Sequence, residues 1–155
     1  MKKSFIFALG ALSMIMLALF TGCKDDKQPQ SLAGNVDKPV WSAPDVNNMT
    51  SSMTAVVKVD LKEQKPDLAA DFVLDENDLL GAFAGEQCIG VAPLEDGYFF
   101  IYINEPKADD PSVTLRYYSA HYKNIFEAKN VFSFKNDERI GTVAEPFVPA
   151  FVFEN

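Results

Sequence analysis

The chain has 155 residues, of which 22 are Asp or Glu and 14 are Lys or Arg, for a formal net charge of −8. That length supports one domain with its own core, and the acidic balance argues against nucleic acid, whose phosphates need clustered Lys and Arg. Phe is frequent at 13 residues, and with Val, Ile and Tyr it favours β-structure.

The N-terminus carries Lys2 and Lys3, then an apolar stretch from Ser4 to Phe20, then Thr21 and Gly22 immediately before Cys23. Small residues beside the scissile bond fit a processed leader. The two other readings are a plain secretory signal and a retained membrane helix. A spanning helix needs about 20 apolar residues; this stretch is slightly shorter, and no stop-transfer pattern follows it. With Cys at the cleavage point, the segment resembles a bacterial lipoprotein signal, in which the thiol is acylated and Cys23 becomes the anchored first residue. Phe20 departs from the usual branched aliphatic, as in the relaxed boxes of Bacteroidetes lipoproteins. The run Cys23-Lys24-Asp25-Asp26 is similar to the acidic tag that sends such lipoproteins to the outer face of the outer membrane. The resemblance implies a lipid-anchored, surface-exposed protein whose first partner is the membrane itself; the alternative is a periplasm-facing outer-membrane protein, since any lipoprotein linker tends to be polar and charged.

Residues 24–39 are polar, contain Pro29 and Pro39, and lack hydrophobic periodicity, which reads as a tether. The expected layout is therefore a signal peptide over 1–22, lipidated Cys23 and tether over 23–39, and one domain over 40–155. Met53 to Val59 alternates, with Met53, Ala55, Val57 and Val59 on one face. Glu63 to Asp71 is a charged connection. Leu79–Phe83 and Gln87–Ala92 flank Ala84-Gly85-Glu86, a tight-turn sequence. Asp96-Gly97 precedes Tyr98 to Ile103, which is apolar on both faces and so predicts a central strand. Val113 to Ser119 predicts another strand. Ile125–Glu127 and Val131–Phe134 read as a hairpin about Ala128-Lys129-Asn130, and Phe147 to Phe153 as an edge strand constrained by Pro149. About eight short strands at this spacing predict an all-β fold, an antiparallel immunoglobulin-like β-sandwich. A small β-barrel is the alternative.

Three stretches carry a resemblance: Met53 to Val57, Asn77 to Phe83, and Gly85 to Ala92. With the aromatic strand and Val113-Thr114-Leu115-Arg116-Tyr117-Tyr118-Ser119-Ala120, they resemble a β-sandwich module of Bacteroidetes surface and secreted proteins, patterned like "NDLIGAFVGGECRGVA" and "ITFRYYDA". The likeness spans about residues 50–145 and departs at Ile89, where an Arg is common. It implies an accessory module without catalytic residues and transfers no site.

Acylation of Cys23 leaves Cys88 without an intrachain disulfide partner, and its apolar surroundings predict a buried, inert thiol. With His121 the sole histidine, the usual His/Cys zinc sets are excluded. Asp71, Asp75, Glu76, Asn77 and Asp78 form the densest oxygen cluster. Asp75, Asn77 and Asp78 are weak calcium candidates, the competing reading being an Asx turn; otherwise no cofactor is expected. Glu95/Asp96 and Asp109/Asp110 lie among turn formers and make a poor acid–base pair. No phosphate loop or nucleophile elbow occurs, so the expectation is a non-catalytic protein. Trp41, Tyr98, Tyr102, Tyr118 and Tyr122 are the candidate ligand-binding aromatics. Stacking on sugar rings predicts at least two exposed aromatics around a shallow groove. Core packing is the competing explanation, and a docking module for another surface protein predicts an exposed strand edge or apolar patch.

Overall fold

The computed structural model describes residues 31–45, 50–107 and 110–153. Cys23, the signal segment and the first part of the expected tether lie outside the described residues, as does Asp109. The fold is all-β, with β1 (Ser52–Val57), β2 (Leu79–Ala84), β3 (Gln87–Glu95), β4 (Tyr98–Asn104), β5 (Ser112–Ser119), β6 (Asn124–Ser133) and β7 (Arg139–Ile140). One four-residue helix, α1 (Leu61–Gln64), interrupts them. No described helix is long and apolar enough to cross a membrane.

The strands make one curled sheet in the order β6-β5-β2-β3-β4-β1-β7. The sheet is mixed where a wholly antiparallel one was expected: β7 runs parallel to β1, with Thr54 opposite Arg139 and Ala55 opposite Ile140, and the other named pairs are antiparallel. Hairpin turns stand where the sequence places them: Gly85 has φ 58°, and Asp96 and Gly97 have φ 50° and 84°. Two positive φ values in succession are what a two-residue hairpin loop requires.

Two expectations change. The hairpin expected over 125–134 is a single strand, β6, in which Ala128 is buried and faces Phe151 in a bridge. The polar residues Lys129 and Asn130 sit on the strand rather than in a turn. The tail, expected as one edge strand, instead links both edges of the sheet. Phe147 N–H donates to Val56 O and its carbonyl accepts from Lys58 N–H, while Lys129 N–H donates to Ala150 O and Val152 N–H to Glu127 O. Pro149 cannot continue a ladder and falls between these two contacts.

Alternation along β1, β4 and β5 sends Met53, Ala55, Val57, Phe99, Ile101, Ile103, Val113, Leu115 and Tyr117 inward, all fully buried. Tyr117 sits at the centre, with ring centroids of Phe99, Phe151, Phe126 and Phe72 at 5.8, 5.9, 6.2 and 6.4 Å. Burying a Phe side chain of this kind contributes about 1.5–3 kcal/mol. Asp60 caps α1 by accepting from Glu63 N–H at 2.8 Å. Gln64 then ties down the tail, accepting from Phe151 N–H at 2.8 Å and donating to Pro149 O at 3.0 Å.

Packing starts well before residue 40. Leu32 is buried, Gly34 and Val36 N–H donate to Tyr122 O and Lys123 O, and Asn124 Nδ2 donates to Leu32 O at 3.1 Å. The polar composition that reads as tether thus includes a segment laid against the turn between β5 and β6.

Candidate functional site

Of the five candidate aromatics, two are buried. Tyr118 is 5% and Tyr122 6% exposed. Tyr122 O–H donates to Asp71 Oδ1 at 2.8 Å, and its ring stacks on Phe72 at 6.2 Å. Burial, followed by the bond to Asp71, pushes the Tyr122 phenol well above its usual range. Neither tyrosine offers a face to a ligand, and this corrects the expectation: Tyr122 packs into the core, while Tyr118, next to the inward-facing Tyr117 on β5, is buried on the opposite side of the sheet.

Trp41 is half-buried. Its ring meets Phe83 edge-on at 5.4 Å and takes the space that a Cβ at Gly81 would need, 2.9 Å from Trp41 Cε3. It borders a groove of about 470 Å³ together with Leu32, Arg116 and Phe153. The cation there is already committed: Arg116 donates from both terminal nitrogens to Glu86 and from Nε to Glu127, at 3.0–3.1 Å. Its guanidinium also lies 4.4 Å from the Phe83 ring centre. Bonding to Arg116 holds the Glu86 carboxyl below its usual range.

The calcium candidates spend their oxygens on the protein. Asp75 Oδ1 accepts from both nitrogens of Asn77 at 2.8 and 3.0 Å. Asn77 Oδ1 accepts from Lys38 Nζ at 3.4 Å. Asp78 is fully buried and accepts from Tyr117 O–H at 2.6 Å, Ala120 N–H at 2.8 Å and Asp75 N–H at 3.0 Å. This is an Asx-type turn stapled to β5, not an open oxygen cage. Among the described residues no group of three His, Cys, Asp or Glu is arranged to hold a metal.

The remaining aromatics converge. β4 is central, as its sequence predicts, yet its outer face is uncovered. Tyr98 is half-buried, Phe100 is 39% exposed and Tyr102 is 62% exposed; the rings of Tyr98 and Phe100 lie 6.2 Å apart. Across the sheet Phe100 faces Val56 and Tyr102 faces Thr54, and Thr54 faces Arg139 on β7. Paired residues in a sheet share a face, so Tyr102, Thr54 and Arg139 form one outward row, and Phe100 and Val56 a second. The rows floor a groove of about 490 Å³.

Its far wall is the loop after β7. Gly141 has φ +70°, and a Cβ there would stand 2.7 Å from Val56 O and 2.6 Å from Phe147 N, so only glycine lets the loop sit this close. Thr142 N–H donates to Glu145 O, and Glu145 N–H donates to Thr142 Oγ1 at 3.0 Å. The turn leaves Val143 exposed beside the groove.

Sequence reasoning singled out Tyr98 and Tyr102 but missed Thr54, Arg139 and Val143. Thr54 was readable from the alternation of β1. The two-residue strand that brings Arg139 to Thr54 leaves no periodic trace. Cys88 is half-buried, and burial pushes its thiol up, away from the thiolate that reactivity needs. Comparison of the chain with protein families, curated proteins and solved structures gives no match.

Proposed function

We propose that the chain is a non-catalytic, lipid-anchored outer-membrane protein of Bacteroidetes type, exposed at the cell surface, that binds carbohydrate on the outer face of β4, β1 and β7. The observation that carries the binding reading is the pair of exposed rings, Phe100 and Tyr102, flooring a shallow groove. Sugar rings present apolar C–H faces that stack on such side chains, while Thr54 and Arg139 supply polar groups for the hydroxyls. A buried aromatic core needs no exposed Tyr at the centre of its sheet, and β4 has one.

Docking of a surface protein is the second reading, favoured by Val143 beside Phe100 as apolar surface. Strand addition is less supported, because the tail takes backbone bonds on both edges of the sheet. For the fold we favour the sandwich over the barrel. β3 pairs with β2 from Gln87 to Pro93 and with β4 only at Leu94 and Glu95, the pattern of a strand passing between two layers.

In the anchored reading, Leu32 is fixed to the domain, so the chain from Cys23 to Ser31 reaches at most about 30 Å. The domain would stay close to the bilayer, with the β5–β6 turn nearest the anchor. Applying the full chain in detergent to a glycan array tests the binding reading. Retention on one glycan class, lost in Tyr102→Ala, is expected; no retention on any glycan, with a stoichiometric protein partner recovered from the same cells, would replace it with the docking reading. Proteolysis of intact cells tests topology: protection before lysis and digestion after it would contradict outward exposure.

A further inference from the structure

We propose that the groove over β4, β1 and β7 takes an acidic oligosaccharide, one containing uronic acid, and that Arg139 reads its carboxylate. The proposal rests on the carbohydrate reading above and narrows it.

The two described arginines differ sharply. Arg116 is held by two carboxylates, Glu86 and Glu127. Arg139 is exposed and its side chain makes no ion pair or hydrogen bond among the described residues, in a chain where acids outnumber bases by 22 to 14. Its neighbour Glu138 accepts from Lys135 at 3.2 Å instead. Arg139 therefore keeps its full complement of donors, at the end of a row that runs through Thr54 to the exposed ring of Tyr102. Two strand spacings separate the ends of that row, about 10 Å between backbones, a span that an Arg side chain shortens by reaching back over Thr54.

Lys58 continues the outward positions of β1 beyond Val56, at the Tyr98 end of the stripe, and is exposed. Glu95 faces Tyr98 across β3 and β4, at the end of the aromatic stripe away from Tyr102. Both lie at the far end, so the cation on the Tyr102 row is Arg139. A uronate carries its carboxylate on the pyranose ring itself, so a ring stacked on Tyr102 presents that group at its rim. The planar guanidinium fork matches a carboxylate with two parallel hydrogen bonds, and the Thr54 hydroxyl lies between for a ring hydroxyl. No covalent step is involved.

The test measures binding of the full chain in detergent to oligogalacturonate, alginate and hyaluronan fragments, each beside its methyl-esterified form. Esterification removes the charge and keeps the ring. At least one acid form is expected to bind roughly tenfold or more tightly than its ester, the scale of a charged hydrogen bond. Arg139→Gln is expected to bring the acid form down to the ester's affinity and leave the ester unchanged, while Tyr102→Ala weakens both. Equal affinity for acid and ester, or an acid form indifferent to Arg139→Gln, would overturn the proposal; loss of binding in Tyr102→Ala would then still support the carbohydrate reading. Binding of neutral or sulfated glycans without any uronate would likewise overturn it, and silence across all glycans would remove both readings.

Discussion

Tyr117 donates its hydroxyl to Asp78 Oδ2 at 2.6 Å, joining the middle of β5 to the turn that opens β2. Both groups are fully buried, and the same carboxylate accepts from the backbone N–H of Ala120 and Asp75. One side chain thereby fixes both ends of the connection that brings β2 beside β5. Tyr117→Phe removes one of three donors and leaves the buried carboxylate short of a partner, which costs about 1–3 kcal/mol. Chemical denaturation should report that loss; an unchanged midpoint would mean that the bond is not formed in solution.

The carboxylates of this region should titrate apart. Burial raises Asp78 above the ordinary value of 3.8, only partly offset by the bonds from Tyr117 and the backbone. Hydrogen bonds from Tyr122 and His121 lower Asp71, and those from Asn77 lower Asp75. Asp78 therefore contributes most to stability below its unfolded value, and that contribution is lost as pH rises through its folded value. Asp71 and Asp75 do the reverse: their contribution is present above 3.8 and lost as pH falls through their folded values. Carboxyl-carbon NMR should find Asp78 titrating last of the three; Asp78 titrating with or before Asp71 would contradict the buried geometry.

Leu32 belongs to the core, so a protein beginning at residue 40 should be less stable than one beginning at residue 31. The difference combines burial of a leucine with two backbone hydrogen bonds, Gly34 to Tyr122 and Val36 to Lys123, about 2–4 kcal/mol together. Thermal unfolding of the two proteins measures it directly. Equal midpoints would return residues 31–36 to the tether.

Gly141→Ala should weaken both fold and groove. The new methyl would meet Val56 O and Phe147 N at a φ of +70°, a strain of roughly 1–3 kcal/mol. The loop carrying Val143 must then move away from β1, so ligand affinity should fall along with the unfolding midpoint. A variant of unchanged stability and affinity would show that the loop does not sit against β1.

Much of the fold was legible in the sequence because short antiparallel strands announce themselves locally. Alternation marked β1, and Gly85 and Asp96-Gly97 marked hairpins that the chain does form. Local pattern misleads where long-range contacts override it. Ala128-Lys129-Asn130 looks like a turn, but pairing with β5 and the bridge from Ala128 to Phe151 keep it extended. Segment 31–36 looks solvated, but one buried leucine and the carbonyls of Tyr122 and Lys123 hold it. In the candidate site, Tyr98 and Tyr102 were readable from the alternation of β4. The burial of Tyr118 and Tyr122 was not, since tyrosines inside and outside a sheet read alike until their neighbours are known. Arg139 entered only through the parallel pairing of a two-residue strand.

If ligand meets the outer face of β4, β1 and β7, amide NMR mapping during titration with a bound oligosaccharide will read that contact residue by residue. Shifts should concentrate at Thr54, Val56, Phe100, Tyr102, Arg139 and Val143, with Trp41, Leu32 and Arg116 unmoved. Shifts centred on the Trp41 groove instead, with β4 silent, would contradict it.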